Sequence, residues 1–194
     1  QSCIAAKRFL VHENIVEEFV AKFKVAIQNL KTGNPFDKEM QIGSLARVDL
    51  AEELEAQVQK SIQMGADLIV GGTRKEAFYE PTILANVTTE MPVFNEETFG
   101  PVAAIITFKT IKEAIELSNQ SEFGLGVSIF TQDIDFIKTK IPSFNEGAFF
   151  INDMVKSDPR LPFGGIKKSG YGRELAEDGI KEFVNVKTVV INIL

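Results

Sequence analysis

The sequence has a single cysteine and a single histidine in its 194 residues. One thiol excludes an internal disulfide, and its natural setting is a reducing compartment such as the cytoplasm. His, Cys, Asp and Glu nowhere cluster at metal-ligand spacing, so no bound metal is expected. No apolar run approaches the roughly 20 residues that a membrane helix needs, which argues against a membrane partner. Lys and Arg never gather into a basic stretch, and the formal net charge is -6. Nucleic acid is therefore a poor partner, because phosphate neutralisation needs clustered cations. The chain also lacks an opening Met, a targeting segment and a polar lead-in: Gln1-Ser2-Cys3 runs almost at once into an apolar segment. Such a start reads as part of a larger protein whose earlier residues are missing.

What is present is an ordinary globular composition, 44% hydrophobic and 25% charged, at a length that can bury a sizeable core. Arg8 to Val11 reads as a short buried strand. Ile15, Phe19, Phe23 and Ile27 recur four apart and predict a helix over about 14–30, closed by Gly33-Asn34-Pro35. Leu50, Leu54, Val58 and Ile62 predict a second helix over about 48–64, ended by Gly65. A short strand follows from Asp67 to Val70. Residues 71–101, punctuated by Pro81, Pro92 and Pro101, read as loop-rich, with no strand or helix expected by name. Strand and helix then alternate: strands at Val102–Phe108, Gly126–Phe130 and Gly147–Ile151, helices at Ile111–Ser118 and Ile134–Ile141. Apolar strands separated by helices predict an α/β fold, an open, mostly parallel sheet with helices on both faces. Phe183 to Leu194 is apolar and β-branched and reads as a terminal strand.

Three segments carry chemistry. Cys3 taken alone reads as a small buried hydrophobe; as a nucleophile it would need an open approach and a stabilised thiolate. Glu96-Glu97-Thr98-Phe99-Gly100-Pro101 taken alone is an acidic loop before a strand. Pro162-Phe163-Gly164-Gly165-Ile166-Lys167-Lys168-Ser169-Gly170-Tyr171-Gly172-Arg173-Glu174 is a glycine-rich turn that matches neither common phosphate-loop pattern. The remaining histidine, His12, sits at a strand end in a surface or structural place.

Together, in this order and spacing, the three segments resemble the aldehyde dehydrogenase superfamily over the whole chain. The resemblance implies that Cys3 is the catalytic nucleophile, attacking an aldehyde to give a thiohemiacetal and then a thioester that water hydrolyses to the carboxylic acid. It implies NAD or NADP as cofactor, with Glu97 on the ribose hydroxyls and Phe99 at the nicotinamide end, and it places Phe163 at the substrate entrance. The segment from Met154 to Arg160, with Ser2 and Ile4 flanking Cys3, is most similar to bacterial succinate-semialdehyde dehydrogenases. On that likeness Ser157 would help seat a substrate carboxylate, ahead of Arg160. The family's general-base Glu, oxyanion Asn and cofactor domain lie upstream of the cysteine segment and are assigned to no residue here. The implied organisation is a catalytic domain over 1–182 and an oligomerisation strand over 183–194, acting in a dimer or tetramer. The chain alone would then be inactive. The competing expectation is a non-enzymatic α/β interaction module that assembles through its C-terminal strand.

Overall fold

The computed structural model describes residues 1–193, in two compact units, Gln1–Ser121 and Glu122–Leu194. The first contains β1 (Arg8–His12), α1 (Val16–Gln28), α2 (Val48–Gln63), β2 (Asp67–Val70), β3 (Arg74–Lys75), β4 (Phe78–Tyr79), β5 (Thr82–Ala85), α3 (Pro92–Asn95), β6 (Val102–Phe108) and α4 (Ile111–Asn119). The second contains β7 (Phe123–Gly124), β8 (Gly126–Ile129), α5 (Ile134–Lys138), β9 (Ala148–Ile151), β10 (Ile166–Lys167) and α6 (Ala176–Lys181).

The sheet of the first unit has the order β1-β6-β5-β2. β1 and β5 run parallel to β6, with Phe9 opposite Ile105 and Thr82 opposite Val102, and β2 is an antiparallel edge. β6 alternates its side chains between two cores. Ala103 and Ile105 join Val11 and Ile83, where α1 lays Phe19, Val20, Phe23 and Ile27 over Phe9. Val102, Ala104 and Ile106 join Leu84 on the other face, beneath Ala51, Leu54 and Val58 of α2. Helices on both faces explain why β6 is apolar from Val102 to Ile106 rather than alternating. The α/β architecture expected from the sequence is the one observed.

The helix stops follow local chemistry. Gly65 adopts φ +108°. Its N–H donates to Ile62 O, and that of Ala66 to Ser61 O, both at 3.0 Å. Two carbonyls at the end of α2 are so satisfied by a left-handed residue that only glycine adopts without strain. At the start of α4 the Thr110 hydroxyl accepts from the Glu113 N–H at 3.2 Å, while the Glu113 carboxylate accepts from the Lys109 N–H at 2.8 Å.

Three expectations need correction. Residues 71–101 are not simply loop, for they contain the β3–β4 hairpin, α3 and the inner strand β5, every residue of which is buried. The helix from Ile134 stops at Lys138, and Pro142, which has no N–H to donate, lies in a separate 3-10 turn, Ile141–Ser143. Residues 183–193 form no strand; their large apolar side chains, Phe183, Val186, Val190 and Ile191 among them, are exposed. A strand exists only against a partner strand, and the described residues offer this tail none. Leu194, the last residue of the expected strand, lies outside the described residues.

In the second unit β8 and β9 pair in parallel, Gly126 with Ala148 through Ile129 with Ile151. β7 pairs antiparallel with β10. Gly147, just before β9, passes so close to the glycine-rich segment that a Cβ there would stand 1.9 Å from the Gly164 carbonyl oxygen. No described helix is long and apolar enough to cross a membrane.

Candidate active site

Cys3 lies on the turn that leads into β1. That turn is closed by the Ala5 N–H donating to Ser2 O at 3.0 Å, and the cysteine is exposed. β1 is held at its start by Arg8, whose guanidinium lies 5.5 Å from the Phe94 ring centroid and donates to Phe94 O at 3.3 Å. The turn before this edge strand thus presents the thiol on a braced base, the open approach that a nucleophile needs.

The Glu96–Pro101 segment leaves α3 and enters β6 in the same unit. The sequence places two polar residues, Gln57 and Ser61, within the apolar face of α2, and the structure shows their use. Gln57 is buried and donates to the Glu96 carboxylate at 3.0 Å and to Glu97 O at 3.1 Å. The Ser61 hydroxyl donates to Gln57 O at 2.8 Å and accepts from the Val93 N–H at 3.3 Å. Thr98 is 1% exposed and Phe99, next to it, 37% exposed. Gly100 is pressed on Leu54; a Cβ at this position would come within 2.3 Å of Leu54 Cδ2. The loop is therefore pinned from α2 at the Glu96 carboxylate, at Glu97 O and at Gly100, with Thr98 buried, while the Glu97 and Phe99 side chains face outward.

Lys7 joins the two segments. Its ammonium stands 4.1 Å from the centroid of the Phe99 ring. Burial pushes its pKa below the ordinary lysine range, and the charges of Glu97 and Cys3 offset part of that fall. Lys7 has no signal in the sequence, since a lone lysine beside a strand carries no pattern; Gln57 and Ser61 differ. Those two had a signal: polar residues where the periodicity of α2 demands apolar ones.

Ser157 and Phe163 belong to the second unit. Phe163 is buried and exchanges two backbone hydrogen bonds of 2.8 Å with Glu174. It lines a cleft of about 290 Å³ with Phe149, Phe150, Lys156, Asp158 and Leu161. Ser157 is exposed, between two charged pairs: Lys156 with Asp153, and Arg160 with Asp158, both at 2.6 Å. Arg160 holds the Asp158 carboxyl below the usual carboxylate range, so its own charge is already engaged. The turn after Phe163 is tied down by Arg173, whose guanidinium donates to Gly165 O at 2.9 Å. Among the described residues no group of three His, Cys, Asp or Glu could hold a metal ion.

The family model described as aldehyde dehydrogenase family matches residues 1–189. The chain is 47% identical over 192 residues to the succinate semialdehyde dehydrogenase Sad, NAD(P)+, of Escherichia coli strain K12, covering 97% of this chain and 42% of that protein. Among solved structures, a succinate-semialdehyde dehydrogenase from Burkholderia pseudomallei superposes with a TM-score of 0.90 at 34% identity, over 94% of this chain and 39% of that one. A glyceraldehyde-3-phosphate dehydrogenase from Methanocaldococcus jannaschii, complexed with NADP, superposes with a TM-score of 0.92 at 37% identity, over 98% of this chain and 41% of that one. The chain thus spans about two fifths of the length of the relatives it matches.

Proposed function

The chain belongs to the aldehyde dehydrogenase family, and from that premise we propose that the complete protein oxidises an aldehyde to a carboxylic acid with NAD or NADP, using Cys3 as nucleophile. The observation that carries the proposal is the exposed Cys3 thiol in one compact unit with the Glu97–Phe99 loop, Lys7 being in electrostatic reach of Cys3 and Glu97 alike.

The residues fit a dinucleotide at its nicotinamide end. An outward carboxylate at Glu97 can accept hydrogen bonds from two vicinal ribose hydroxyls, and Phe99 offers an exposed ring edge or face to the heterocycle. When bound, NAD(P) supplies the hydride acceptor. The Cys3 thiolate adds to the aldehyde carbon to form a thiohemiacetal, and the Cys3 backbone N–H donates to the developing oxyanion. Loss of hydride from that carbon leaves a thioester on Cys3, which water cleaves to the acid. General base, second oxyanion donor and adenosine-binding fold are assigned to no residue of this chain, so the 194 residues alone are proposed to be inactive. A cytoplasmic location is proposed with it, supported by a thiol that must stay reduced to act.

Glu97→Gln in the complete protein is expected to slow single-turnover NAD(P)H formation about tenfold or more, because the ribose loses its anchor and the ring carbon its position. The unfolding midpoint should stay unchanged, since the side chain is exposed. A normal single-turnover rate would remove Glu97 from the cofactor site.

The substrate is proposed to be succinate semialdehyde, after the names of the relatives. Ser157 would help seat the carboxylate and Phe163 line the approach. Steady-state kinetics should give kcat/KM at least about tenfold higher for succinate semialdehyde than for butanal, a margin that one charged-group contact can supply. Ser157→Ala should narrow that ratio while leaving butanal turnover alone. Equal kcat/KM for the two aldehydes would refute the substrate assignment. Residues 1–182 are proposed to act as the catalytic domain and 183–194 as a subunit joint in a dimer or tetramer. The exposed apolar tail supports this, because an unpaired segment of that kind is suited to adding a strand to another chain.

A further inference from the structure

Lys7 is half-buried where β1 begins, and its ammonium lies over the face of the Phe99 ring, 4.1 Å from the centroid. That is cation–π geometry. A lysine beside an apolar surface ordinarily buries its methylene stem and carries the ammonium out to water. Here the charged end is drawn onto the ring instead, despite a burial that disfavours the cation. The π face of Phe99 and the negative charge of Glu97 compensate. The loop carrying Glu97 and Phe99 is pinned from α2 through the Glu96 carboxylate and Glu97 O, with Thr98 buried, and the outward Glu97 and Phe99 side chains would otherwise be free to turn.

We infer that Lys7 is a positioning residue for the nicotinamide end of the cofactor, holding the Phe99 ring and the Glu97 carboxylate in their binding orientation before the cofactor arrives. It takes no proton and makes no bond in the reaction; it lowers the ordering cost that two mobile side chains would add to binding. The inference rests on the proposed assignment of Glu97 and Phe99 to NAD(P).

The test is equilibrium titration of the complete protein with NAD(P), without aldehyde, for wild type, Lys7→Met, Lys7→Arg, Phe99→Leu and the double variant Lys7→Met/Phe99→Leu. Met keeps the length and apolar body of Lys7 but not its charge. Kd is expected to rise about threefold to tenfold in Lys7→Met, the range of a partly buried cation–π contact. Lys7→Arg should restore most of the affinity, and the Met effect should vanish when Phe99 is already Leu. In turnover, KM for the cofactor should rise while KM for the aldehyde stays put. Equal Kd values for wild type and Lys7→Met, or an undiminished Met effect without Phe99, would overturn the inference alone. A wild-type protein that binds no NAD(P) would overturn the dehydrogenase reading and this inference with it.

Discussion

Cys3→Ala in the complete protein is expected to lower aldehyde oxidation by at least about a thousandfold, about 4 kcal/mol of barrier. The thiol is the only cysteine among these 194 residues, so none of them can replace it as a nucleophile of the same kind. It sits exposed on a turn that is closed by backbone and held by the Arg8–Phe94 contact, so its loss should leave the fold and the Glu97–Phe99 loop as they are. The variant should therefore bind NAD(P) with unchanged affinity yet show no burst of NAD(P)H and no trappable thioester. That combination separates loss of a covalent step from loss of a binding site. A variant retaining a rate within about tenfold of wild type would end the case for covalent catalysis by Cys3.

Leu54→Ala should carry the largest cost in stability, about 3–5 kcal/mol, from lost apolar burial and the cavity left behind. Leu54 is 1% exposed and belongs to the core cluster with Val58, Val93, Phe94 and Ala104. The loss is a large share of the roughly 5–15 kcal/mol that holds a domain folded. It should appear as a lower urea midpoint at unchanged slope. Leu54 also packs under Gly100, so the cavity would open beneath the cofactor loop, and NAD(P) affinity should weaken as well. Ile134→Ala, at an exposed position of α5, is the control and should cost less than about 0.5 kcal/mol. A Leu54→Ala penalty no larger than that control would mean that α2 does not brace the loop.

The site was legible to an uneven degree. Cys3, Glu97, Phe99 and Phe163 stand in segments with a recognisable order and spacing, and the structure puts the first three in one unit. Lys7, Gln57 and Ser61 carry no such order. Their roles come from α2 and β1 being brought against a loop far along the chain, and nothing local in the sequence specifies that meeting. Phe163 reads as a lining residue, and the structure shows it also buried and paired by backbone with Glu174 of its own segment, while Gly147, remote from that segment in sequence, passes close to Gly164.

The sequence by itself determined the elements whose pattern is local: the four-residue spacing of α1 and α2, the glycine stop at Gly65, and the apolar run of β6. Periodicity and capping act within a few turns of chain, so they are readable without neighbours. Only the tertiary structure decided β5 and the tail, in opposite senses. Thr82–Ala85 is four residues wedged between Pro81 and Asn86, with little strand signal of its own, yet it is a buried inner strand because β6 and β2 supply ladders on its two sides. Residues 183–193 have the stronger strand composition and form none, because no described segment pairs with them. Strand formation is settled by the partner that satisfies the backbone, and a partner is a property of the fold rather than of the segment.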